Sequence, residues 1–175
     1  MDIKQNYFEF LGLPESYQLD LQVLSERSRE LQKTLHPDKF AHLADHERRL
    51  SVQYTAYLNE AVATLKSPLL RSQYLLSLKG EDTYAESSVQ LDPMFLMQQM
   101  ELREAVEDIA DADDPDTAVE EMYAEVAEQQ QALREEFQNL YDQADYPAAA
   151  MTVRKMQFIH KLERDVEALE DKLYD

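Results

Sequence analysis

The chain has 175 residues, 44% hydrophobic and 30% charged, with a net charge of −19: enough for one ordinary domain or two small ones, and too apolar for wholesale disorder. It contains no cysteine, which excludes a disulfide framework, a thiol nucleophile and cysteine-ligated zinc or iron–sulfur centres. No apolar run approaches the ~20 residues of a membrane span, and the opening MDIKQNYFEF has neither the apolar core of a secretory signal nor the Arg/Ser-rich character of a transit peptide, so a cytoplasmic setting is expected.

The charge is unevenly placed. Residues 1–80 carry ten Lys/Arg and ten Asp/Glu, whereas residues 81–175 carry seven against twenty-six, which accounts for the whole excess. A polyanion is repelled by that second half, so neither nucleic acid nor an anionic membrane is an expected partner.

In chain order, the first element is a short aromatic helix in NYFEFLGLP, stopped by Gly12. Leu21, Leu24, Ser28, Leu31 and Leu35 repeat at three and four and predict a helix near 20–35. Leu50, Tyr54, Tyr57, Leu58, Ala61 and Leu65 predict another near 45–65, and a short one covers 69–79 before Gly80. After the polar stretch GEDTYAESSVQLD come helices near 93–111, 116–144 (Val119, Met122, Val126, Leu133, Phe137, Leu140) and 148–173 (Ile159, Leu162, Val166, Leu169, Leu173). Ser67-Pro68, Asp92-Pro93 and Asp114-Pro115 each read as an N-cap followed by proline at the first helical position. Pro14, Pro37 and Pro147 fall in other breaks. No segment alternates with period two long enough for a strand, so the fold class is all-α. The charge step coincides with the polar stretch and sets the expected organisation: a small helical domain over 1–79, a linker over 80–91 and a three-helix bundle over 92–175.

The helix near 20–35 runs into His36-Pro37-Asp38. Proline fixes its own φ and pushes the residue before it out of the α region, so the helix stops near Leu35 at a stiff corner flanked by a base and a carboxylate. A preset, exposed carboxylate can pair bidentately with a partner's arginine at little entropic cost. The plainer reading is a tight interhelical turn in which Asp38 caps the next segment. Arg27, Arg29 and Lys33 lie off the leucine stripe, with Lys39 just past the corner; Glu26 and Glu30 interleave them and thin the basic face.

A second feature lies on the helix near 93–111. At about 100° per residue, Phe95, Gln99, Leu102, Val106 and Ile109 form one stripe, with Met97 and Met100 roughly opposite and Leu96 at the flank. That outer face should be polar. Instead it is a Leu/Met patch running into Glu101, Glu104 and Asp108, a combination suited to a basic protein partner. Phe158 lies beside the stripe of the last helix and joins this patch if the two helices are neighbours. The alternative is that Leu96, Met97 and Met100 pack against the N-terminal domain or the linker.

Taken together, the Tyr-x-x-x-Leu-Gly opening, the basic second helix, the His-Pro-Asp loop and the packed third helix resemble a J-domain. HPDKF, SPLLRSQYLLSLKG, FLMQQMELRE and AAAMTVRKMQFIHKLERDVEALEDKL resemble the HscB-type J-domain co-chaperones of iron–sulfur cluster assembly. The resemblance implies an N-terminal J-domain, a helical hairpin bearing the His-Pro-Asp loop, followed by a C-terminal three-helix bundle. It implies that His36, Pro37 and Asp38 engage a DnaK/HscA-type ATPase chaperone and trigger its ATP hydrolysis, with Arg27, Arg29, Lys33 and Lys39 supplying electrostatic docking. It further implies that Leu96, Met97, Met100, Glu101, Glu104, Asp108 and Phe158 bind the iron–sulfur scaffold protein of the IscU type. Met100 and Asp108 stand where the family has Leu and Glu, which preserves the pattern.

Other readings rank lower. HLADHE spaces His42 and His46 four apart, as on a zinc helix, but offers Asp where that motif has Glu and no third ligand. A His36–Asp38 dyad lacks a nucleophile and a phosphate cradle, so no enzymatic activity, cofactor or metal is expected. A general J-domain co-chaperone for other clients remains the alternative function, although such chains usually add a Gly/Phe-rich linker or zinc-binding cysteines, absent here. A purely structural acidic bundle with an accidental corner is the third.

Overall fold

The computed structural model describes residues 3–84 and 91–175, and every regular element among them is helical. The helices are α1 (Tyr7–Leu11), α2 (Leu21–Leu35), α3 (Asp45–Lys66), α4 (Pro68–Leu78), α5 (Pro93–Asp108), α6 (Pro115–Asp142) and α7 (Tyr146–Tyr174), with 3-10 turns at Pro37–Phe40 and Ile109–Asp111.

Side-chain caps begin most of them. Asp20 accepts from the Gln22 and Val23 amides to open α2, and the Ser67 hydroxyl accepts from the Leu70 amide at 3.2 Å to open α4. Asp92 and Asp114, each followed by proline, accept from the Met94 and Thr117 amides. Helix α7 starts at Tyr146, two residues before the periodic pattern, because Asp145 caps it by accepting from the Ala148 amide, and Pro147 is tolerated in a first turn whose amides have no helical partner. Three ends share one geometry. Gly12 (φ 65°), Gly80 (φ 84°) and Ala144 (φ 58°) adopt the left-handed conformation, and the amide after each donates back to the carbonyl five residues before it, Phe8, Leu76 and Leu140 respectively.

The chain divides into two compact units, one through Leu75 and one from Leu76 onward. The division falls inside α4, ahead of the polar stretch at 80–91, because the helix runs on past the last residues of the first core. Beyond it, the Lys79 ammonium lies 6.0 Å above the Tyr146 ring and Gln157 donates to the Thr83 carbonyl at 3.1 Å, both ties within the second unit. Residues 85–90 of the expected linker lie outside the described residues.

In the first unit α2 and α3 form a hairpin against which α1 packs, with Phe8, Leu11, Leu24, Leu35, Leu58 and Leu65 buried. Each such side chain contributes about 1.5–3 kcal/mol of hydrophobic stabilisation. Leu31 and Tyr7 are half-buried. The Tyr7 ring stacks on Tyr74 with centroids 4.3 Å apart and meets Tyr57 edge-on at 5.2 Å, while its amide donates to the Tyr74 hydroxyl at 2.9 Å. Below α1, the Arg71 guanidinium is buried, donates to the Leu65 carbonyl at 2.8 Å and lies 5.1 Å over the Tyr17 ring.

In the second unit α6 and α7 form a long antiparallel hairpin; α5 packs against α7, and the 3-10 turn at Ile109–Asp111 that follows it packs against α6. Val119, Met122, Val126, Leu133 and Phe137 of α6 meet Val153, Met156, Ile159, Leu162 and Val166 of α7 in one buried seam. Its register is fixed by Tyr123 donating to Glu170 and Gln130 donating to Glu163, each at 2.7 Å. Leu140, Leu169 and Leu173, at the ends of the predicted stripes, are only half-buried.

Candidate functional site

Helix α2 ends at His36, whose φ of −55° and ψ of 130° are the extended geometry that a following proline imposes. Pro37 has no N–H, so the last carbonyls of α2 need other donors. The Leu35 carbonyl receives the hydroxyl of Ser51, a buried residue of α3, at 2.8 Å, with the Thr55 hydroxyl 3.4 Å away. The corner is thereby tied to the opposite arm of the hairpin. The His36 carbonyl accepts from the Lys39 amide at 3.0 Å and closes the 3-10 turn.

The cap of that turn is the imidazole and not Asp38. The Asp38 amide donates to His36 Nδ1 at 3.2 Å, which places the proton of the neutral ring on Nε2. His36 Nδ1 also lies 3.5 Å from the Asp38 carboxylate, but an ion pair there requires a proton on the same nitrogen and gives up the amide bond. The Asp38 side chain is 91% exposed, and the His36 side chain 59%. The loop therefore presents an open carboxylate from a backbone held by proline, by a side-chain cap and by a buried hydroxyl.

The four basic residues do not form one row. Arg29 and Lys33 stand one turn apart, opposite the buried Leu24 and Ser28, and Lys39 is exposed on the loop. Arg27 lies about 160° around the helix from Arg29 and pairs with Glu30 at 3.9 Å. The start of α3 adds cations that the sequence reading passed over: Arg48, paired with Asp45, and Arg49, both exposed beside Val52. Their signal was a doubled arginine in the first turns of a helix whose apolar stripe lies elsewhere. Helix α3 begins at Asp45, so His42 lies outside it and the spaced histidines do not share a helix face. Among the described residues no three His, Asp or Glu side chains are grouped to hold a metal ion.

On α5, Gln99, Val106 and the following Ile109 are buried, and Phe95 and Leu102 are half-buried. Met97 is 62% exposed and Met100 63%, with Leu96, Glu101, Glu104 and Asp108 also exposed. Six of the seven residues expected on this face thus form one surface. Phe158 stands apart from the methionines. It is half-buried and meets Phe95 edge-on with centroids 6.2 Å apart, and Phe95 points about 160° away from Met97 around the helix. Phe95 is thus a boundary residue, its ring also lying under the Lys155 ammonium at 5.5 Å. Among the described residues no helix is long and apolar enough to cross a membrane.

Comparison with known proteins identifies the family of the chain. Residues 91–167 match the family model described as the HSCB C-terminal oligomerisation domain. The co-chaperone protein HscB homolog of Shewanella woodyi is 42% identical over 173 residues, covering 97% of this chain and 99% of that protein. The crystal structure of human HscB superimposes with a TM-score of 0.87 at 27% identity, covering 96% and 83% of the two chains. The structure of HscB from Vibrio cholerae superimposes with a TM-score of 0.86 at 43% identity, covering 97% and 99%. The chain belongs to the HscB family, the J-domain co-chaperones of iron–sulfur cluster assembly.

Proposed function

We propose that the protein is an adaptor that stimulates the ATPase of a DnaK/HscA-type chaperone and delivers an IscU-type scaffold protein to it. The first unit engages the ATP-bound chaperone through His36, Pro37 and Asp38, with Arg29, Lys33 and Lys39 as the electrostatic footing and Arg27 at its margin. The second holds the scaffold on Leu96, Met97, Met100, Glu101, Glu104 and Asp108, flanked by Phe158. Holding both partners on one chain raises the effective concentration of each near the other. Hydrolysis then tightens the chaperone's grip on the scaffold and promotes cluster release.

The observation that carries this reading is the pairing of an open carboxylate on a braced loop with two exposed methionines on a helix that is otherwise anchored by its opposite side. Neither feature serves packing. Thioethers adapt to a partner's surface, and the acidic edge favours a basic one. A pull-down with the chaperone, ATP and the scaffold tests it. Recovery of both partners supports the adaptor, whereas recovery of the chaperone alone assigns the chain to the general J-domain class.

A further inference from the structure

Between α5 and α6 runs a groove of about 440 Å³. Phe95, Leu102, Leu133 and the small side chain of Ala132 form its floor, and Glu101 and Glu125 stand on its rim. Ala132 is exposed and interrupts an otherwise polar outer row of α6, in which Glu125, Gln129 and Glu136 follow at helical spacing. The missing bulk opens the groove.

Charge decides what fits it. Helices α5 and α6 together carry twelve Asp/Glu and two Arg, whereas α7 carries five Lys/Arg and five Asp/Glu. The acidity of the second unit is therefore concentrated on the two helices that wall this groove. Glu101 belongs both to its rim and to the outer face of α5, so the two surfaces are continuous.

We infer that the groove is a second subsite for the same scaffold partner, accepting a short basic segment with one apolar anchor. The anchor sits over Ala132 and Leu133 while lysine or arginine side chains pair with Glu101 and Glu125. This inference rests on the reading that the outer face of α5 holds the scaffold. Burying an apolar anchor in a preformed slot with charged pairs at the rim is the usual way a short segment adds affinity and specificity.

Calorimetric titration of an IscU-type scaffold into the full chain tests it. Ala132→Trp fills the slot from an exposed position, and Glu125→Lys reverses a rim charge without adding bulk on the floor; circular dichroism checks that both keep the wild-type helix content. Each variant is expected to weaken scaffold binding by about tenfold, the scale of losing one anchor contact. Wild-type affinity in both, with Met97→Ala still weakening binding, overturns the groove and leaves the outer face standing. Absence of scaffold binding by the wild-type chain overturns both readings. If Ala132→Trp instead changes the oligomeric state of the protein alone and spares scaffold affinity, the groove belongs to a second copy and the inference fails.

Discussion

The hydroxyl of Ser51 donates to the carbonyl of Leu35 across 2.8 Å, joining the second turn of α3 to the last turn of α2, just before the His-Pro-Asp corner. Ser51 is buried, and without its hydroxyl that carbonyl has, among the described residues, the Thr55 hydroxyl at 3.4 Å, which already donates to the Ser51 carbonyl at 2.8 Å. Ser51→Ala should therefore cost about 1–2 kcal/mol, the lower part of the range for a buried acceptor left without its donor. Denaturant unfolding reads that loss, and Ser51→Ala/Thr55→Val should lose more. Chaperone stimulation by Ser51→Ala should need a higher protein concentration, because the corner is less firmly braced. An unchanged unfolding midpoint would show that the bond does not hold the loop.

Charge reversal separates the two faces. Glu101→Lys with Glu104→Lys replaces attraction by repulsion toward a basic scaffold and should weaken its binding by about tenfold or more, with the wild-type affinity falling as salt is raised. Chaperone stimulation in the absence of scaffold should be unaffected, as both residues lie in the second unit. Scaffold affinity that ignores both the substitution and the salt would remove the acidic edge from the interface.

Helix α6 closes on Ala144 with a φ of 58°, a conformation that a Cβ makes unfavourable and that the equivalent positions of α1 and α4 give to glycine. Ala144 is exposed, so its methyl contributes no packing. Relief of the strain outweighs the extra freedom glycine gains on unfolding, and Ala144→Gly should stabilise by roughly 0.5–1 kcal/mol. Thermal melts should show a rise of about 2 °C, and Ala144→Val should lower the midpoint.

Alkaline stability depends on Tyr7. Burial first, then a hydrogen bond to Glu60 and the carboxylate's charge, push its hydroxyl well above the ordinary 10.0. The unfolded chain therefore releases this proton at a lower pH than the folded one. The contribution is fully present below pH ~10 and is lost as pH rises above it. Tyr7→Phe should flatten the fall in stability above pH 10, measured by urea unfolding at stepped pH, whereas a slope equal to that of the wild type would mean that other groups control it.

Much of this was legible because the chain is punctuated. Proline after Ser67, Asp92 and Asp114 marked three helix starts, and Gly12 and Gly80 marked two ends. The third end was not legible, since alanine carries no signal of a left-handed residue. The unit boundary fell earlier than the charge step because charge reports solvent exposure, whereas the division follows packing through α4. At the corner, sequence implied a stiff exposed loop but not that His36 would cap it or that Ser51 would brace it, since both depend on side chains meeting across a turn. On α5 the helical period placed Met97 and Met100 outward, while the position of Phe158 against Phe95 needed the pairing of α5 with α7.

Steady-state ATPase of the cognate chaperone, measured with this protein, with the scaffold and with both, reaches the centre of the account. Stimulation by the pair should exceed the combined effect of the two given separately, and Asp38→Asn should abolish it while scaffold affinity stays at the wild-type value. Additive stimulation, or full activity with Asp38→Asn, would contradict the account.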